Sequence, residues 1–251
     1  MAPTVILIRH AEALHNVSNK SPSSQISSVE ISDVPVVYNR LQAKLTDLGL
    51  GKQCEELARH LQNELPLAKQ IELIVVSPMR RTLQTAQQAL GWLMKRGVPV
   101  VLGPEWQENS AKPCDTGSAI SLMEKEWPQF DWSSVDPVYP SKTGIYEYTR
   151  QGLTERGIHA KQLIKQRPEK VIAVVSHSGF LRCGVSEKKY GNADFRIFDF
   201  GEGVDLVEWE LTEQPGGGLG KSPKGVYPMS EGDYPERPEM DIGEVVGENP
   251  S

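Results

Sequence analysis

Cysteine is scarce in this chain: Cys54, Cys114 and Cys183 are the three present among 251 residues. A small, odd, widely spaced set is not a disulfide framework, and it lacks the paired spacing of a zinc site. The three read as reduced, mostly structural thiols. Long hydrophobic runs are also missing. The first apolar run stops at Ile8, without the basic flank and the apolar core of about 7–15 residues that make a signal peptide. No later run nears the roughly 20 apolar residues that a membrane-crossing helix needs, so no membrane partner is expected and the cytosol is the default compartment. Nor is positive charge in excess. Lys and Arg number 27 against 33 Asp and Glu, a net charge of -6, which argues against a general nucleic-acid binder. An acidic protein can still hold an anionic substrate where a few Arg gather at one place.

What the chain does have is a set of short apolar runs that end abruptly in polar groups. Residues 5–8 (VILI) suit a buried strand and pass directly into Arg9-His10. Residues 71–76 (IELIVV) end at Ser77-Pro78, with Arg80 and Arg81 just beyond. Residues 98–102 are a shorter candidate, and residues 171–175 (VIAVV) run into Ser176-His177-Ser178-Gly179. Edge strands are expected near 195–200 and 204–211. Helix signals lie between these runs. Thr46 is a good N-cap for a face made of Cys54, Leu57, Ala58, Leu61 and Leu65, which Pro66 closes. Met79, Leu83, Ala86, Leu90 and Met94 share a second face. A third helix is signalled at Leu153-Thr154, with Ile158, Leu163 and Ile164 on its apolar side.

The remaining stretches carry weaker patterns. Residues 17–35 are rich in Ser and read as a loop. The block 103–150 is turn-rich, with room for one short helix before Pro128, and is expected to form a lid over the sheet's edge. From Thr212 the composition shifts to Gly, Pro and Glu with few apolar residues. The expected organisation is therefore one α/β domain over residues 1–211 and an irregular tail over 212–251. Tyr227, Met229 and Tyr234 are the residues that could pin that tail.

Strands separated by helices run mostly parallel, and parallel strands gather their carboxyl ends on the edge where α/β proteins bind ligands. That edge would hold Arg9, His10, Arg81 and His177. Arg offers a planar fork of donors for phosphate, and an imidazole can serve as nucleophile or base. The motifs R-H-A-E-x-x-x-N at 9–16, S-P-x-x-R-x-x-Q-T-A at 77–86, an acid after the third strand and S-H-S-G at 176–179 resemble those of the histidine phosphatase superfamily, also called phosphoglycerate-mutase-like. The resemblance covers roughly residues 4–211 in order and spacing. It implies a three-layer α/β/α sandwich around a central, mostly parallel sheet.

The resemblance also assigns residues. His10 matches the nucleophile that becomes phosphorylated, Arg9 and Arg81 the phosphate clamps, and His177 the second histidine. Asn16 stands where the family's side chain touches the phosphate, and Ser178 adds a backbone N–H. Glu108 matches the general acid, with Glu105 as its rival. Arg80 reads as a solvated neighbour of the clamp. One departure is Ala11, where Gly is usual. Glu12 reads as either part of the shell around the site or a solvated loop acid. His15, His60 and His159 read as packing or surface residues, and Cys183 as core filler. Cys114 reads as a more exposed thiol. Trp106, Trp127, Trp132 and Tyr146 read as core aromatics more readily than as a substrate pocket.

Elementary chemistry agrees with these assignments. Phosphoryl transfer needs an in-line nucleophile and spread positive charge around the equatorial oxygens. Arg9, Arg81 and a protonated His177 would supply that charge, so no metal or other cofactor is expected. The expected activity is a metal-independent phosphatase acting on a small phosphorylated metabolite through a phosphohistidine. The alternative is a phosphoglycerate-type mutase using the same intermediate, and a more distant one a non-catalytic scaffold of the same fold. The middle block is unlike the long insertions of cofactor-dependent mutases, which favours hydrolysis.

Overall fold

A computed structural model of the chain describes residues 2–14, 16 and 44–236. His15, the serine-rich stretch 17–35 and the end of the tail at 237–251 lie outside the described residues. The strands are β1 (Thr4–Arg9), β2 (Leu73–Val76), β3 (Val100–Leu102), β4 (Val171–Ser176), β5 (Phe195–Phe200) and β6 (Leu206–Glu208). They form one six-stranded sheet in the order β3-β2-β4-β1-β5-β6. The first four run parallel, and β5 and β6 join antiparallel at one side. β2 is shorter than the apolar run suggested, because a 3-10 turn over Pro66–Gln70 delivers the chain to it.

The helices are α1 (Cys54–Asn63), α2 (Arg80–Met94), α3 (Ile120–Glu126), α4 (Arg150–Lys165), α5 (Ser178–Phe180) and α6 (Glu210–Glu213). Strand side chains alternate between the two faces of the sheet. Ile6, Ile8, Ile74, Val76, Ala173 and Val175 pack with Leu57 and Leu61 of α1 and Leu83, Ala86 and Leu90 of α2. Val5, Leu7, Val75, Ile172 and Val174 pack on the other side with Ala160 and Ile164 of α4 and with Phe180. The three layers expected from the resemblance are therefore present. Each fully buried Leu, Ile or Val contributes about 1.5–3 kcal/mol of transfer free energy, so the alternation in β1 and β4 holds both layers at once. No described helix is long and apolar enough to cross a membrane.

The Thr46 hydroxyl accepts the Gly49 N–H at 3.0 Å, at the head of a π-helical turn over Gly49–Gln53 that leads into α1. The third helix differs from expectation. It begins at Arg150, because Thr149 is extended and its hydroxyl accepts the Gly152 N–H at 3.0 Å. Its buried side is Leu153, Arg156, Gly157, Ala160 and Ile164, whereas Ile158 and Leu163 are 39% and 41% exposed. The reason is a close backbone approach: a Cβ on Gly157 would lie 1.8 Å from the carbonyl oxygen of Gly184. That contact turns α4 so that its small residues face inward.

The middle block joins the core. α3 ends just before Pro128, and Phe130, Trp132, Val135 and Tyr139 pack with the α1/α2 layer. Arg80 is a correction to the sequence reading, because it is buried rather than solvated, at 3% exposure. Its Nε donates to both carboxylate oxygens of Glu126 at 2.9 and 2.8 Å, and its Nη1 to Ser118 Oγ at 2.5 Å. This charge-assisted fork pins the middle block to the start of α2.

Residues 212–236 are mostly turns, and they are bonded to the domain through two aspartates. The buried carboxylate of Asp194 accepts from the Leu219 N–H at 2.9 Å, the Lys221 N–H at 3.1 Å and Ser222 Oγ at 2.6 Å. Asp233 pairs with Arg182, and its carbonyl accepts from the Tyr148 hydroxyl at 2.8 Å. The Tyr227 N–H adds a bond to the Glu187 carbonyl, and Lys189 lies 4.2 Å from the centre of its ring. A buried donor left without its acceptor costs about 1–3 kcal/mol. Asp194→Ala is therefore expected to lower stability by at least one such step and to expose 212–236 to protease, as read by thermal unfolding and limited proteolysis.

Candidate active site

The strand register brings the polar groups together. Arg9 of β1 lies opposite Ser176 of β4, and Val76 of β2 opposite Val175. The His10 N–H donates to the Ser176 carbonyl and the Ser77 N–H to the Val175 carbonyl, each at 3.0 Å. Arg9-His10, Ser77 and His177 consequently finish at one level. On the other side, the Arg9 N–H donates to the Asp194 carbonyl at 3.0 Å and the Ala193 N–H to the His10 carbonyl at 3.2 Å. Ala193 takes a left-handed φ of 51° there, a conformation unfavourable for a residue with a Cβ.

Both histidines are buried, and their hydrogen bonds assign their tautomers. Nδ1 of His10 lies 2.6 Å from the Ala11 carbonyl, which only accepts, so Nδ1 carries the proton and Nε2 the lone pair. Arg81 Nε donates to that Nε2 at 3.2 Å and to Nδ1 of His177 at 3.1 Å. Since a guanidinium only donates, Nδ1 of His177 accepts, and its Nε2–H donates to Ser77 Oγ at 2.9 Å. The rings lie 5.2 Å apart at 60°. His177 is thus oriented with Nδ1 toward Arg81 and Nε2 toward Ser77.

Arg81 is fully buried, and its Nη1 donates to the Cys114 carbonyl at 2.7 Å. Arg9 donates from Nη1 to the Tyr190 carbonyl at 2.8 Å, while its buried Nε finds no acceptor among the described residues. Burial pulls the Arg9 guanidinium down to about 10. Asn16 lies close by: its Oδ1 accepts from the Ala13 N–H at 3.0 Å and from Asn192 at 3.3 Å. Ser178 opens α5, half-buried next to His177. Ala11 is buried and donates its N–H to Thr85 Oγ1 at 3.0 Å. Glu12 is a brace: its carboxylate accepts from Thr46 Oγ1 at 3.0 Å and its N–H donates to Gln53 at 2.8 Å.

The structure separates the two candidate acids. Glu108 Oε1 accepts from the Asn109 and Phe180 N–H groups, each at 3.0 Å, and Oε2 from the Gly179 N–H at 3.3 Å. A Cβ on Gly179 would lie 2.5 Å from Glu108 Oε1, which is why S-H-S-G needs its glycine. Burial, and then the charge of Asp115, push the Glu108 carboxyl above its ordinary range against the pull of Arg81. Glu105 instead lines a separate surface cleft with Tyr146, His159 and Arg167, and burial pushes its carboxyl up to about 7.

Sequence reasoning missed the residues that hold Glu108. Lys142 Nζ donates to the Glu108 carbonyl at 2.6 Å and to Gln107 Oε1 at 2.8 Å. Arg156 donates to Asn109 Oδ1 at 3.0 Å and lies 4.2 Å from the Phe180 ring centre. Neither stands in a motif, and their positions against 107–109 come from chain segments distant in sequence. Ser77 was legible as part of the S-P motif, although its bond to His177 was not. The bland assignments mostly stand as packing. Trp106, Trp132 and Tyr146 are buried and Trp127 partly so. His60 pairs with Glu64 at 3.0 Å. Cys183 is half-buried at a surface cleft, and burial pushes the Cys114 thiol up to about 11. Among the described residues no group of three or more His, Cys, Asp or Glu is placed to hold a metal ion.

Residues 5–202 match the histidine phosphatase superfamily, branch 1. The chain belongs to this family. It is 31% identical over 183 residues to a probable phosphatase of Schizosaccharomyces pombe, covering 71% of this chain and 76% of that protein. It is 31% identical over 206 residues to phosphoglycerate mutase-like protein 1 of Arabidopsis thaliana, covering 71% and 69%. Among solved structures, a candidate alpha-ribazole-5'-P phosphatase of Escherichia coli aligns with a TM-score of 0.50 at 18% identity, over 83% of this chain and 96% of that one. Bacillus stearothermophilus YhfR aligns equally, with a TM-score of 0.50 at 18% identity over 82% and 95%. At such identities these structures speak for the fold alone.

Within this family member the two acids should differ in their effect on stability. Glu105 keeps its proton up to about 7 when folded, against 4.5 in a free side chain. Its contribution to stability is therefore full below pH 4.5 and is lost as pH rises through about 7. Glu105→Gln should match the wild type near pH 4 and become the more stable protein by pH 8. The gain is on the order of 2 kcal/mol, at about 1.4 kcal/mol per pH unit discounted for partial exposure. Urea unfolding at the two pH values measures it.

Proposed function

We propose that this family member is a metal-independent phosphatase that hydrolyses a phosphate ester of a small metabolite through a phosphohistidine at His10. The observation that carries the reading is the state of the His10 ring. Its Nδ1 is tied to the Ala11 carbonyl at 2.6 Å, and its Nε2 lone pair lies 3.2 Å from Arg81 Nε. A nucleophile for phosphorus must be an unprotonated nitrogen, with cations beside it for the phosphoryl oxygens, so the Arg81 N–H leaves the Nε2 lone pair and turns to a phosphoryl oxygen as the substrate enters. The buried Arg9 Nε, with no acceptor among the described residues, adds a donor suited to a phosphoryl oxygen.

In the first half-reaction Nε2 of His10 attacks phosphorus as the bond to the ester oxygen breaks. Arg9 and Arg81 stabilise the equatorial oxygens, with Asn16 and the Ser178 N–H at the rim. Glu108 gives its proton to the leaving alkoxide, for which its raised carboxyl pKa suits it. In the second half-reaction the Glu108 carboxylate takes a proton from water, the water attacks phosphorus, and the P–N bond returns its electrons to His10. For His177 to donate to the phosphoryl group its Nδ1 must gain a proton. The Ser77 hydroxyl, able to donate as well as accept, can serve either tautomer.

His10→Ala should abolish turnover while leaving thermal unfolding close to wild type. Acid-labile, base-stable label trapped from a phosphorylated substrate should map to His10. Label at another residue would remove the nucleophile assignment, and transfer of the label to a second hydroxyl rather than to water would replace the phosphatase with a mutase. Glu108→Gln should slow an alkyl phosphate by ~10²–10⁴ and para-nitrophenyl phosphate far less, because a phenolate leaves without a proton. Equal slowing of both on the single-turnover phosphorylation step would remove Glu108 as the acid.

A further inference from the structure

The loop 110–118 turns back over Arg81 and places a carboxylate on it. Oδ1 of Asp115 lies 3.4 Å from Arg81 Nη2, while Oδ2 accepts from Ser110 Oγ at 2.6 Å. The Cys114 carbonyl takes Nη1 of the same guanidinium at 2.7 Å. The Asp115 side chain is 19% exposed and that of Arg81 not at all, so Asp115 stands between the buried cation and the solvent.

The choice of nitrogen matters. A guanidinium grips an oxyanion with two parallel bonds along one of two edges, Nε with Nη2 or Nη1 with Nη2. Both edges include Nη2. The Nε–H of Arg81 is shared by His10 and His177, a carbonyl occupies Nη1, and a negative charge faces Nη2. A phosphate dianion that takes either edge must displace the Asp115 carboxylate or bind against its charge.

We propose that Asp115 is a built-in counter-anion for Arg81, competing with phosphate for the clamp and so weakening the site's hold on its inorganic phosphate product. The inference rests on the phosphatase reading above. The competition has a physical purpose. Two arginines and a histidine closing on a phosphate dianion in a dry pocket hold product and transition state alike, and uniform binding does not raise the rate once the site is filled. A carboxylate that returns to Arg81 as phosphate leaves compensates the buried cation in the empty enzyme. Ser110 keeps that carboxylate aimed while it waits.

The sign of one measurement separates this role from a structural one. A loop residue that merely shapes the site weakens anion binding when it is replaced, whereas removal of a competing charge strengthens it. Binding of inorganic phosphate and of orthovanadate to the full chain is measured by calorimetry at neutral pH. Asp115→Asn, similar in shape and able to keep the Ser110 contact, should bind both about tenfold more tightly than wild type. Asp115→Glu should return toward the wild-type affinity. Asp115→Ser provides a second neutral variant should the first fold poorly, with the same tightening expected. Unchanged or weaker binding in the folded neutral variants would overturn the inference while leaving the phosphatase reading in place. Absence of phosphate and vanadate binding in the wild type as well would overturn both.

Discussion

A single N–H, that of Arg81 Nε, lies 3.2 Å from Nε2 of His10 and 3.1 Å from Nδ1 of His177. Because arginine keeps its proton and accepts nothing, both facing nitrogens must carry lone pairs. Each ring's proton is thereby sent to its far side, toward the Ala11 carbonyl for His10 and toward Ser77 for His177. The chemistry available to either histidine follows from that sharing. It requires Arg81 at the first turn of α2, directly after β2, and it requires the ends of β1, β2 and β4 to stop at the same level. A slip by one residue in β1 would turn His10 to the opposite face of the sheet.

The shell around this centre is unusually charged for an interior. Lys142, Arg156, Asp194 and Arg196 are all buried. Each grips backbone or amide groups next to the site. Lys142 and Arg156 hold 107–109, and Asp194 gives its carbonyl to the Arg9 N–H. Arg196 pairs with Glu208 at 2.6 Å and donates to the Lys189 carbonyl at 3.1 Å, next to the Tyr190 carbonyl that receives Arg9. Buried charges are poor stabilisers compared with apolar residues of the same volume. Their placement in this fold goes with fixing the main chain beside Arg9 and the segment 107–109 that carries Glu108, at the expense of a more apolar core.

Local sequence determined the elements and the clustering of the chemistry. Alternating or continuous apolar runs in 5–8, 71–76 and 171–175 could bury only as strands between two layers, and the intervening helical faces forced those strands to run parallel. Parallel strands share one carboxyl edge, so Arg9, His10, Arg81 and His177 had to meet once that alternation was read. The hydrogen-bond partners of those groups were not legible. Several come from the Tyr190 and Cys114 carbonyls and the Asp115 carboxylate, which stand in no periodic pattern and reach the site only after the chain has folded. The rotation of α4 was likewise invisible, since the contact of Gly157 with the Gly184 backbone outweighs the preference of Ile158 and Leu163 for burial. Arg80 was misread because its partner Glu126 lies on a helix that packs back from the middle block. Sequence by itself determined which groups gather, because periodicity and strand direction are local properties of the chain. Tertiary structure alone decided which ring nitrogens face Arg81, which glutamate is held by the N–H groups of 179–180 and which charges are buried, because each depends on a partner brought from a distant segment within hydrogen-bond range.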